Sequence, residues 1–86
     1  MVADKTHHAV CVRIVRLLRD ERLAKGLSKY AMAGRSGLSE QMIGYVERGL
    51  RRPSLETVVR MASALEVDLG KVIARAYKEV SSAKRI

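Results

Sequence analysis

The chain has little from which to build a large or cross-linked fold. Its 86 residues include one cysteine, one proline and three tyrosines, with neither phenylalanine nor tryptophan. A lone thiol, Cys11, closes no internal disulfide, which excludes a disulfide-stapled scaffold and suits a reducing cytoplasm. No His or Asn arrangement accompanies Cys11, so a packed or half-exposed thiol is a better reading than a catalytic one. The adjacent His7 and His8 lack the further ligands that a zinc site needs and read as solvated residues. No apolar run approaches the roughly 20 residues that span a bilayer, and the first residues, with Asp4 among them, form no apolar signal region. A soluble, unprocessed, cytoplasmic protein is expected. Clustered carboxylates, a nucleophile beside a base and a glycine-rich phosphate loop are missing as well, so the residues offer no enzyme chemistry and call for no metal or cofactor.

What is present suits a small helical domain. The length fits one domain and not two, and a chain of this size buries only about 60–65% of its unfolded surface. The apolar residues are mostly Leu, Val, Ala, Ile and Met, which pack short helices on small and branched side chains. A formal net charge of +8 and a sequence pI near 10.3 point to a polyanionic partner, and nucleic acid fits best. Charge alone equally describes a generic basic surface; a motif is needed to choose between them.

That motif lies between Gly26 and Gly49, in GLSKYAMAGRSGLSEQMIGYVERG. Ser28 is placed to cap a short helix with Met32 and Ala33 on its apolar side, and Gly37 supplies the left-handed residue that a sharp reversal needs. Ser39 restarts the chain as the next cap. Ile43 and Val46 then face inward, and Gly49 ends the second helix. Helix, tight turn and helix in this order form a helix-turn-helix, whose second helix enters the DNA major groove and meets base edges with its first residues. The candidate base-reading residues are therefore Ser39, Glu40, Gln41, Met42 and Tyr45. Gln41 carries the donor and acceptor that grip adenine at N6 and N7, Glu40 can accept from cytosine N4, and Met42 can lie against a thymine methyl. Tyr45 reaches a phosphate or a base from the next turn. Gly44 leaves the helix backbone free to approach the DNA. Glu40 has a plainer reading, a charge that favours the helix N-terminus.

The rest of the chain reads as three more helices. The first is expected from about His8 to Lys25, with Thr6 as its cap and Val10, Ile14, Leu17 and Leu18 facing inward. Its other face carries Arg13, Arg16 and Arg19; a solvated face explains this better than a lipid surface or a calmodulin-like partner, for want of aromatic anchors. After the motif, Leu50-Arg51-Arg52-Pro53 forms a loop whose proline opens a helix from Pro53 or Ser54 to Leu65. Leu55, Val58, Ala62 and Leu65 are expected to face the core, with Val59 and Met61 on the flanks. Glu66-Val67 is a short connector, and Asp68 caps a last helix from Leu69 to about Val80 that carries Val72, Ile73, Ala76, Tyr77 and Val80 as one apolar stripe. The expected division is a flexible 1–7, a DNA-binding domain over 8–80 and a flexible 81–86.

Leu27-Ser28, Met32-Ala33, Gly37-Leu38-Ser39, Ile43, Val46-Glu47-Arg48-Gly49 and Pro53-Ser54-Leu55-Glu56 together resemble the lambda-repressor-like, or Xre/Cro-type, family across roughly residues 13–74. The chain departs from it in carrying Lys29 where the family usually has Gln, and Gly34 where it usually has a polar residue. The resemblance implies an all-α, compact five-helix domain with its helix-turn-helix at about 28–48. It also implies an ion pair between Arg22 and Glu47 that fastens the first helix to the recognition helix; otherwise each is a surface charge worth under about 1 kcal/mol. By the same resemblance Lys29, Arg48, Arg51 and Arg52 stand where the family touches the sugar-phosphate backbone. The implied function is a transcriptional regulator, most often a repressor, with double-stranded DNA as partner. The family fold seals its core by about Ile73, so Ile73, Ala76, Tyr77 and Val80 are expected to leave an uncovered stripe that joins two copies as a homodimer. Two variants stay beside this one: a controller protein of a restriction-modification system, and an antitoxin-type interaction module that binds DNA secondarily. A toxin or RNA polymerase stays open as a further partner.

Overall fold

The computed structural model describes residues 4–83. They form five helices: α1 over Asp4–Ala24, α2 over Lys29–Ser36, α3 over Glu40–Glu47, α4 over Leu55–Leu65 and α5 over Leu69–Ala83. No strand occurs among the described residues. The helix starts follow from hydroxyl and carboxylate caps. Ser28, Ser39 and Ser54 lie in extended backbone, and their hydroxyls accept from the N–H groups of Ala31, Met42 and Thr57, each supplying an otherwise unpaired first-turn donor. Asp68 does the same for Lys71 at 3.3 Å. The helix ends follow from left-handed residues: Gly26, Gly37 and Gly49 have φ of 66°, 75° and 74°. At α4 this place is taken by Glu66 at φ 58°, where Val67 N–H closes back on Ala62 O at 3.1 Å.

The main core gathers Val15 and Leu18 of α1, Met32 of α2, Ile43 and Val46 of α3, and Met61, Ala62, Ala64 and Leu65 of α4. Leu27, Leu38 and Val67 from the connections close over it. A second, smaller cluster lies between α1 and α5, made of Val10, Leu17, Ala76 and Val80. Ile14 and Val72 touch both clusters. An ion pair adds to the α1–α5 contact, with Glu79 of α5 facing Arg13 of α1 at 3.6 Å while it accepts from Arg75 within α5 at 2.7 Å.

Several expectations shift. The first helix begins at Asp4, so Thr6 lies inside it and is not its cap; α5 likewise extends to Ala83, so residues 4–7 and 81–83 are helical. Residues 1–3 and 84–86 of the expected flexible ends lie outside the described residues. Pro53 precedes the cap of α4 and does not open the helix, because Ser54 takes the capping role. In α4, Val58, Ala62 and Leu65 face the core as expected, but the face is wider and starts later: Met61 is fully buried and Ala64 nearly so, while Leu55 is 73% exposed. Ala76 and Val80 are buried against α1 of the same chain, which covers the stripe that was expected to stand open. Of that set only the partly buried Ile73 and the 51% exposed Tyr77 remain toward solvent.

Candidate nucleic-acid interface

The position of α3 is set at both ends. At its start, the turn Ser36-Gly37-Leu38 is held by Gly37 N–H donating to Ala33 O at 3.0 Å and by Leu38 N–H donating to the Ser36 hydroxyl at 3.2 Å. Arg60 of α4 completes the turn: its Nη1 donates to Ser36 O at 3.2 Å while its Nε donates to Glu56 at 2.9 Å. This link was not singled out from the sequence; the four-residue spacing of Glu56 and Arg60 is its visible trace, but not its reach across to α2. A Cβ at Gly37 would stand 3.1 Å from Arg60 Nη1, so the turn is closely fitted as well as left-handed.

At its end, α3 is clamped to α1. Arg22 Nε and Nη2 each donate to one carboxylate oxygen of Glu47 at 2.8 Å, and Arg22 Nη1 donates to Leu27 O at 2.8 Å. The two side chains are only 8% and 2% exposed. The guanidinium is held in its charged form, with its pKa raised chiefly by the hydrogen bond to Glu47; burial opposes this, and the carboxylate charge adds to it. The pair expected from the family resemblance is therefore present, bidentate and nearly dry.

Between these anchors Ile43 and Val46 are buried, and Gln41, Tyr45 and Arg48, at positions i, i+4 and i+7, turn the opposite way. Gln41 Nε2 donates to the Tyr45 hydroxyl at 2.7 Å. The Tyr45 ring in turn carries the Arg48 and Arg51 guanidinium groups at 5.6 and 6.0 Å from its centroid. Arg48 Nε also donates to Gly44 O at 3.2 Å. Lys29, at the first position of α2, leans over the same spot: a Cβ added at Gly44 would stand 3.6 Å from Lys29 Nζ and 3.9 Å from Arg48 Nη2. Gly44 is therefore buried beneath two cations, at distances where a Cβ would make ordinary van der Waals contact with them. Arg52 is exposed on the loop after α3.

The structure thus brings Gln41, Tyr45, Lys29, Arg48 and Arg51 onto one surface. The other expected base readers stand differently. Glu40 is exposed on the first turn, the Ser39 hydroxyl is engaged in capping at 3.0 Å, and Met42 is half-buried against the core. Met42 therefore packs part of its side chain beneath α3. Among the described residues no three His, Cys, Asp or Glu side chains gather as a metal site, and no helix is long and apolar enough to cross a membrane.

Residues 18–72 match the family profile described as Helix-turn-helix. The uncharacterized HTH-type transcriptional regulator y4dL of Sinorhizobium fredii is 35% identical over 68 residues, which make up 79% of this chain and 32% of that protein. The uncharacterized HTH-type transcriptional regulator Rv0474 of Mycobacterium tuberculosis is 37% identical over 59 residues, 69% of this chain and 42% of that one. The chain thus matches less than half the length of these relatives. Among solved structures, the restriction-modification controller protein C.AhdI from Aeromonas hydrophila is 39% identical and superposes with a TM-score of 0.66 over 72% of this chain and 94% of its own. With the capped helices, the Gly37 turn and the clamped α3 in the same span as the matched residues, the chain belongs to the Xre, or lambda-repressor-like, helix-turn-helix family of DNA-binding transcriptional regulators.

Proposed function

We propose that this protein is a sequence-specific regulator, acting mainly as a repressor, that binds an inverted-repeat operator as a homodimer through the major groove. The observation that carries the reading is the outward face of α3, where Gln41 and Tyr45 stand between the cations Lys29, Arg48 and Arg51. Gln41 is the principal base reader, with Glu40 beside it, and Lys29, Arg48, Arg51 and Arg52 hold phosphates on either side of the groove. The basic balance of the whole chain, +8, supports the same partner through long-range attraction.

Dimerisation rests on a narrower surface than the whole α5 stripe: the partly buried Ile73 and the half-exposed Tyr77, one turn apart on α5, form its centre. Two-fold symmetry then sets two copies of α3 one DNA turn apart, about 34–36 Å. A second reading, control of a restriction-modification system, is favoured by the likeness to C.AhdI over nearly the whole of that protein. A nuclease and methylase gene next to this one would support it.

Binding-site selection from a random DNA pool, with sedimentation of the free and bound protein, tests the proposal. The expected result is a palindromic site bound by two copies, with log affinity falling against log salt at a slope of about −5 to −7, for three or four phosphates per subunit. Selection that enriches no sequence, or a monomer bound to a single asymmetric site, would overturn it.

A further inference from the structure

The amide of Gln41 is not free to roll. One of its two N–H groups donates to the Tyr45 hydroxyl at 2.7 Å, which leaves one N–H and the carbonyl oxygen for a base. In the major groove adenine presents an acceptor at N7 and a donor at N6, whereas guanine presents acceptors at both N7 and O6. A glutamine with both N–H groups available can meet either purine, donating once and accepting once at adenine or donating twice at guanine. With one N–H already taken, the remaining donor and acceptor complement adenine alone, and at guanine the carbonyl oxygen would face O6. We propose that Tyr45 is a specificity-determining positioning residue, which withholds one amide hydrogen of Gln41 and so confines it to adenine; this rests on Gln41 being a base reader.

The surroundings of Tyr45 favour this role. Arg48 and Arg51 lie near its ring, and Arg48 is itself bonded to Gly44 O, so the phenol packs with two cations while its hydroxyl reaches back one turn to Gln41. The ring and the hydroxyl therefore separate into two functions. The ring supports the phosphate-facing arginines, and the hydroxyl sets the pattern that Gln41 shows to the groove.

Tyr45→Phe removes the hydroxyl and keeps the ring. Wild type, Tyr45→Phe, Gln41→Ala and the double variant are compared on the selected site and on the same site with guanine in place of adenine at the Gln41 position. Each variant is first checked for its helical circular dichroism. Tyr45→Phe is expected to reduce the adenine-over-guanine preference about five- to tenfold, mostly by tightening the guanine site. Gln41→Ala is expected to flatten the preference, and adding Tyr45→Phe to it should change nothing more. If Gln41→Ala flattens the preference and Tyr45→Phe leaves it intact, Gln41 reads bases but Tyr45 does not restrict it, and the inference fails alone. If Gln41→Ala itself changes no base preference, the base-reading assignment fails, and the inference with it. A shift of preference by Tyr45→Phe that persists undiminished in the Gln41→Ala background would also overturn it, since Tyr45 would then be acting without Gln41.

Discussion

Replacing Glu47 by Ala tests how α3 is held. The substitution strands the Arg22 guanidinium in a site where its side chain is 8% exposed, with only the bond to Leu27 O left from its three. Leaving one charge of a buried pair without its partner costs about 3–5 kcal/mol, because the ion loses both its water and its counter-charge. A domain of 86 residues has a net stability on the order of 4–13 kcal/mol, so the loss takes a large share of it. At about 4–8 °C per kcal/mol in this size range, the melting temperature should fall by at least about 12 °C. Urea and thermal unfolding followed by circular dichroism measure both quantities. Removing both charges, as in Arg22→Met with Glu47→Leu, should recover most of the loss, since no group is then left buried and charged. Exchanging Arg22 and Glu47 should recover less: both replacements take the donor from Leu27 O, but a carboxylate at position 22 also sets a second, charged acceptor against that carbonyl, which methionine does not. A cost under about 1 kcal/mol for Glu47→Ala, or zero coupling in the double-mutant cycle, would mean that the pair behaves as a solvated surface contact, and the reasoning from its burial would be wrong.

Three further outcomes follow from other parts of the fold. Gly37→Ala should destabilise the protein by about 1–2 kcal/mol in urea unfolding, because alanine resists φ near 75° and its Cβ would press on Arg60 Nη1 at 3.1 Å. Glu66→Gly should act the other way, raising stability by about 0.5–1 kcal/mol in the same assay; glycine relieves the left-handed residue at φ 58°, and the change removes a negative charge from the C-terminus of α4. Arg51→Ala or Arg52→Ala should weaken selected and random DNA alike and reduce the salt slope by about one per subunit in titrations at several ionic strengths; altered base preference at constant slope would contradict their assignment to phosphates.

The features legible in the sequence were those fixed by local chemistry. A serine before a helix and a glycine after it act within one turn of backbone, so Ser28, Gly37, Ser39, Gly49 and Asp68 are found in the positions their residue types imply. Features that depend on which helix lies alongside were less legible. In α4 the residues from Val58 to Leu65 fit two overlapping faces, and only packing against α1 and α2 selects the one with Met61 and Ala64, turning Leu55 outward. In α5, whether Ala76 and Val80 stand open depends on how α5 lies along Val10 and Leu17 of α1, which the spacing within neither helix encodes. Glu66 carries no left-handed signature at all; the closing bond from Val67 to Ala62 holds it there. At the candidate interface, charge and residue type pointed to residues that share one surface, but the mutual contacts of Gln41, Tyr45, Arg48 and Arg51 emerge only once their side chains are placed.

The division of the interior into two clusters bears on how the molecule opens. The nine residues of the main core lie between Val15 and Leu65 and hold all the parts of the helix-turn-helix, whereas Val10, Leu17, Ala76 and Val80 form a patch joined to it only through Ile14 and Val72. Parting α5 from the first half of α1 exposes that patch and leaves Met32, Ile43 and Val46 covered. Amide hydrogens of α5 beyond Val72 should therefore exchange with solvent by a partial opening. Those of Met32 and Val46 should wait for the whole domain to unfold. Strain applied at the far end of α5, by heat or a protease, is in this way absorbed before it reaches α3.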